Sequence, residues 1–246
     1  MKNYYFLLGL PRAGNTLLGS LINQTPNVNV SANSVLMDVL HTLDEIKSNN
    51  QYYENFPDEK SYDNISRNVF NNYYSDYKAK HIIDRGCWGT PGNLKQIKKI
   101  IKKPKFIILY RPILECLASL VKAEQPKNIS KTCDYYMSGS GLLGLNLIAI
   151  DNVIRRNEDY LFLTYDELVK NPIQVVKKMF SFIGEDYFKI DVKNLKQFSS
   201  NGIEYDDSKI KVPLHTIRTS SISKNETNIE DFLPKDVIVK YGNIRL

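Results

Sequence analysis

Cysteine is scarce in this chain: Cys87, Cys116 and Cys133 are the only three in 246 residues, an odd number with no C-x-x-C pair. That argues against both a disulfide framework and a cysteine-built zinc site, and a reducing, cytoplasmic compartment is expected. Long apolar runs are missing as well. The opening M-K-N-Y-Y-F-L-L-G-L-P-R has too short an apolar core for a signal peptide, and the most apolar stretch, residues 142–154, is interrupted by Asn146 and Asp151. It reads as a buried helix, and no transmembrane segment is expected. Basic residues do not cluster: the net charge is +6, but the lysines are spread along the chain. That balance favours anionic ligands without indicating a nucleic-acid partner. No internal repeat is present.

With 42% hydrophobic and 24% charged residues, residues 1–246 are sufficient for one α/β domain. Continuous apolar runs at Tyr4–Leu10 and Phe106–Tyr110 predict buried parallel strands, and His81–Asp84 and Tyr160–Thr164 read as two further strands. Helical spacing predicts helices over 16–24, from Asn33 or Ser34 to about Ile46, over 93–103, 113–122, 141–157 and 175–183. Alternation of the two predicts a P-loop-containing three-layer α/β sandwich, a central parallel β-sheet flanked by helices. Residues 49–78, rich in Asn, Tyr, Asp and Ser, read as an insertion on the rim carrying one helix. Its tyrosines serve either packing or a substrate mouth.

The most informative stretch is F-L-L-G-L-P-R-A-G-N-T-L-L, residues 6–18, an apolar strand, a glycine-bounded loop and a helix start. Gly9 and Gly14 frame a P-loop in which asparagine, Asn15, replaces the usual lysine and Thr16 follows. Backbone amides and a helix N-terminus converge on an anion in such loops. The cation has moved to Arg12, a permanent planar fork, which points to a phosphorylated nucleotide other than ATP. Arg111 follows a second strand, at the edge where ligands of open α/β sheets bind.

Three segments together, G-L-P-R-A-G-N-T-L-L (9–18), I-I-L-Y-R-P-I-L-E-C-L-A-S-L (107–120) and L-T-Y-D-E-L-V-K-N-P (163–172), resemble the sulfotransferases that use 3′-phosphoadenosine 5′-phosphosulfate. The resemblance implies that the first motif, Pro11, Arg12, Ala13, Gly14, Asn15 and Thr16, cradles the 5′-phosphosulfate, with backbone donors of residues 13–16 and Thr16 on the phosphate. It implies that Arg111 and, eight positions on, Ser119 hold the 3′-phosphate, and that Tyr165 matches the tyrosine after the fourth strand. A late polar run resembles the loop that covers the nucleotide, near 212–226, with His215, Arg218, Ser221, Ser223 and Lys224 as donors. Trp88 is either a wall for the adenine or a core plug.

Sulfuryl transfer needs in-line attack on sulfur and stabilisation of charge growing on the bridging oxygen of the leaving nucleotide, for which Arg12 is the candidate. No metal is required. The acceptor, a hydroxyl or an amine, also needs a base. The tyrosylprotein branch of the family has a glutamate where this chain has Asn33, which cannot take a proton. Asp38, His41 and Asp84 are the remaining candidates. Two other readings stay open: a P-loop kinase or other NTP-dependent phosphotransferase with Asp84 on magnesium, and a nucleotide-binding module without turnover.

Overall fold

A computed structural model describes residues 2–209, 214–217, 221–224 and 227–246. Five parallel strands form its centre: β1 (Asn3–Gly9), β2 (Val28–Asn33), β3 (His81–Arg85), β4 (Lys105–Tyr110) and β5 (Asp159–Thr164). They lie in the order β2-β3-β1-β4-β5. Phe6, Leu7 and Leu8 of β1 and Phe106 to Leu109 of β4 are fully buried, as unbroken apolar runs in a sheet covered on both faces must be. The edge strand β2 escapes the sequence reading because V-N-V-S-A-N buries only one face, so its apolar residues are too few to stand out.

Helices cover the sheet: α1 (Asn15–Ile22), α2 (Leu36–Asn49), α3 (Gln51–Asn55), α4 (Glu59–Tyr73), α5 (Pro91–Ile100), α6 (Ile113–Glu124), α7 (Ile129–Met137), α8 (Leu142–Arg155), α9 (Tyr165–Lys170) and α10 (Pro172–Ile183). A short antiparallel pair, β6 (Ser199–Ser200) and β7 (Ile203–Glu204), follows, then α11 (Ile229–Phe232) and α12 (Lys235–Tyr241). By length and composition the stretch Ile129–Arg155 is apolar enough to cross a membrane. Here it folds as α7 and α8, and α8 buries Leu143, Ala149, Ile150 and Val153.

Two local expectations differ from the structure, and one open choice is decided by it. Asn33 ends β2 and is not a helix cap; α2 starts at Leu36, after a turn in which Ser34 accepts from the Leu36 amide. Residues 49–78 hold two helices where one was expected, and the end of α4 is core: Phe70 and Tyr74 are fully buried against Tyr4, Phe6 and Trp88. Trp88 is a plug with no exposed surface, so it presents no face to an adenine.

Asp84 ties these pieces together. Its completely buried carboxylate accepts from Ser34 Oγ at 3.0 and 2.9 Å, from the Tyr74 hydroxyl at 2.6 Å and from Trp88 Nε1 at 3.1 Å. Burial pushes it up to about 6 from 3.8, against the pull of those donors. A carboxyl whose folded pKa exceeds its unfolded one binds more protons when folded. Its contribution is complete below the unfolded value and is lost as the pH rises through the folded one. The stability advantage of the wild type over Asp84→Asn, measured by urea unfolding, is expected to shrink by on the order of 3 kcal/mol between about pH 4 and 7. A difference that stays flat across that range would mean Asp84 titrates as an ordinary surface carboxyl.

Candidate active site

The carboxyl ends of β1, β3 and β4 open onto one cavity of about 420 Å³. Pro11, Arg12, Gly14, Asn15, Thr16, Arg111, Ser119, Tyr165, His215, Ser221 and Ser223 all line it. The loop leaves β1, turns through Arg12 at φ 67° and Gly14 at φ 92°, and enters α1. Gly14 is the N-cap and gives no side-chain cap, and the first turn of α1 has no acidic residue. The helix therefore presents amides and the positive end of its dipole to the cavity. One expected donor drops out: Ala13 is buried and its amide bonds Leu10 O at 3.0 Å.

Asn15 does what a P-loop lysine would not. Its side chain turns inward, donating from Nδ2 to Leu10 O at 2.8 Å, and is buried. A Cβ on Gly9 would fall 1.5 Å from Asn15 Oδ1, so Gly9 is what makes room for it. A Cβ on Gly14 would meet Tyr165 Cδ2 at 3.1 Å.

Two arginines converge on this loop. Arg12 Nε donates to Ser119 Oγ at 3.1 Å and Nη1 to Leu214 O at 2.9 Å. Arg111 is 2% exposed; its Nη1 donates to Arg12 O at 3.0 Å, its Nε pairs with Glu115 Oε2 at 3.0 Å, and its guanidinium lies 4.3 Å over the Tyr165 ring. Burial, with the adjacent Arg111 cation behind it, lowers the Arg12 pKa. A buried and a partly buried cation side by side make an anion welcome, and the donor set fits phosphate chemistry.

The base candidates fare differently. Asp84 does not line the cavity, and Ser34, Tyr74 and Trp88 engage its carboxylate. That also removes it as a magnesium ligand in the kinase reading. Asp38 is exposed on α2 and outside the lining. His41 is outside it too, with Nε2 on Asn93 Oδ1 at 2.7 Å. In all three cases helix phase or burial keeps the group out of the cavity. Lys224 is likewise turned aside, 2.8 Å from Asp166 Oδ1 and 3.9 Å from Glu115 Oε1. Arg218 lies outside the described residues.

His215 is placed more specifically than a loop donor. Its Nδ1 is 2.6 Å from Asp207 Oδ1, its amide donates to Asp207 Oδ2, and its ring stacks on Tyr205 at 3.7 Å. Burial raises the Asp207 pKa, but the amide and ring of His215 outweigh it and leave the carboxyl below its ordinary value. Gln197 anchors the segment by exchanging two hydrogen bonds with Ile217. The sequence reading missed Met37, Arg85, Cys87, Leu142 and Asn146 in the lining, which Asn33, read as the residue at the family's glutamate position, also joins. For Arg85 the signal was present, an arginine at a strand end, as at Arg111. Cys87 is no nucleophile, because burial pushes its thiol up to about 11.

A model of the sulfotransferase domain family matches residues 2–204. Among solved structures, the sulfotransferase domain from the curacin biosynthetic pathway is 15% identical with a TM-score of 0.53, covering 100% of this chain and 92% of that one. The sulfotransferase domain from the Synechococcus PCC 7002 olefin synthase is 15% identical with a TM-score of 0.58, covering 100% and 90%. A sulfotransferase from Alicyclobacillus acidocaldarius is 15% identical with a TM-score of 0.52, covering 85% and 87%. At that identity the likeness is one of fold. No curated protein matches the chain.

The Gly9–Asn15 contact is open to a double-mutant cycle. Gly9→Ala alone is expected to cost about 2–4 kcal/mol in urea unfolding, because it overpacks a buried loop. In an Asn15→Ala background most of that cost is expected to vanish, since the atom that the new Cβ meets is gone. Additive losses would show that Gly9 is required for another reason.

Proposed function

The chain belongs to the sulfotransferase domain family, and from that membership we propose that its sulfuryl donor is 3′-phosphoadenosine 5′-phosphosulfate and its acceptor a hydroxyl or amine. The observation that carries the donor assignment is that Arg12 and Arg111 line one cavity and are joined through the Arg12 carbonyl, with Ser119 bonded to Arg12. A donor with phosphates on the 3′ and 5′ carbons of one ribose suits two neighbouring cationic clamps on one loop and one helix.

In this reading the amides of Gly14, Asn15 and Thr16 and the Thr16 hydroxyl hold the 5′-phosphate, and Arg111 and Ser119 the 3′-phosphate. Pro11 shapes the loop entrance, and Ser221, Ser223 and the neighbouring backbone close over the nucleotide. Tyr165 backs Gly14 and Arg111 from behind. When bound, the donor supplies a sulfuryl group on a phosphate leaving group, with negative charge rising on the bridging oxygen. Arg12 meets that charge. The acceptor proton passes to His215 Nε2, whose ring Asp207 orients through Nδ1, an arrangement in which a carboxylate fixes the tautomer of a base.

Adenosine 3′,5′-bisphosphate without magnesium is expected to raise the melting temperature of the wild type. Arg111→Ala is expected to weaken its affinity roughly 10- to 100-fold, the worth of a charge-assisted contact. Unchanged affinity would remove Arg111 from the 3′-phosphate, and a preference for magnesium with ATP would favour a kinase.

Arg12→Ala and His215→Gln are expected to retain folding by circular dichroism and to lower kcat by roughly 100-fold or more. In His215→Gln nucleotide affinity is expected to stay within about twofold, which separates a base from a nucleotide donor. Normal turnover in either variant would take that residue out of the chemistry.

A further inference from the structure

The strand order separates the arginines of the cavity. Arg111 follows β4 on one side of β1, while Arg85 ends β3 on the other. On the first side the cations are answered by Glu115 and by the carbonyls of Arg12 and Leu214. Arg85 has no such answer: Nη1 donates to the Tyr205 hydroxyl at 3.0 Å, and among the described residues no carboxylate lies within ion-pair distance. Asn33, Met37, Cys87, Leu142 and Asn146, which line the same cavity, are neutral. A half-buried guanidinium without a counter-ion is costly to hold, and here it faces open space.

Tyr205 fixes where that cation stands. Its hydroxyl receives Arg85, and its ring lies flat on His215, 3.7 Å away and 8° from parallel. Phe198 backs the same ring at 5.2 Å. Arg85 and His215 are therefore held by one rigid aromatic ring, the first at its hydroxyl and the second on its face.

We infer that Arg85 binds a carboxylate on the acceptor, so that the substrates are hydroxy or amino acids whose reacting group lies toward His215 while the acid sits on the Arg85 fork. Tyr205 is a positioning residue that aims the fork. The inference deepens the sulfuryl-transfer reading and rests on it. Arginine suits the task because its planar donors match a carboxylate in pairs, and a site with a cation built in rejects the neutral analogue by leaving that cation unanswered.

The test uses matched sets, each a hydroxylated carboxylic acid with its methyl ester and primary amide, 3-hydroxybutyrate and 4-hydroxyphenylacetate among them. Turnover is read as release of adenosine 3′,5′-bisphosphate. The acids are also titrated into protein saturated with that nucleotide, with melting temperature as the readout. Acids are expected to be preferred, and Arg85→Gln to lower kcat/KM for acids about 10- to 100-fold while esters change less than about threefold and nucleotide affinity is kept. Tyr205→Phe, which retains the charge, is expected to raise KM for acids by roughly threefold with kcat held. Preference for esters or amides, equal losses for acid and ester, or no acid-induced shift in the nucleotide-saturated protein would overturn the proposal. Failure of the nucleotide itself to bind the wild type would instead bring down the donor reading, and this proposal with it.

Discussion

The bond on which the site depends runs from Arg111 Nη1 to the carbonyl oxygen of Arg12. Arg12 adopts the left-handed region, which a side-chain-bearing residue enters only when its surroundings hold it there. Arg111 supplies that hold from a different strand, and is itself fixed by Glu115 one turn along α6 and by the Tyr165 ring. Tyr165 in turn packs on Gly14, the left-handed cap of α1. Loop, strand end and α9 thus form a closed chain of contacts. A bond between a buried charge and a backbone carbonyl is directional, so the turn at Arg12 and the end of β4 are held in a fixed position relative to each other.

The other half of the cavity is organised by a different device, a carboxylate that does not line it. Asp84 sits one residue before Arg85 and gathers donors from the β2–α2 turn, the end of α4 and the Trp88 turn. Removing it would leave several buried donors unanswered at once. Because successive residues of a strand point to opposite faces, the buried Asp84 leaves Arg85 facing the other way, toward the cavity. A residue that looked like a candidate for chemistry is a fastening for its neighbour.

How much was legible follows from which interactions are local. The P-loop frame, the strand-end arginine and Ser119 eight residues after it are set by spacing within one strand, turn and helix, and the unbroken apolar runs marked the central strands. Edge strand β2 and helix α7 carried weaker patterns, because a half-buried element needs fewer apolar residues. The base candidates were misplaced for a related reason. Asp38 and His41 stand on α2, whose rotation about its axis is fixed by the packing of Leu36 and Leu40, and a shift of one residue turns a side chain by about 100°.

The amino-acid sequence alone determined the architecture, the P-loop frame and the family, because those depend on period, glycine placement and residues near each other along the chain. Only the folded molecule decided that His215 meets Asp207 and Tyr205, that Asn15 turns inward, and that Arg85 has no counter-ion among the described residues. Arg85 meets Tyr205 across 120 residues, a contact fixed only when a late segment closes over the carboxyl edge of the sheet. Charge balance at such a contact depends on every neighbour in space, and no spacing along the chain encodes it.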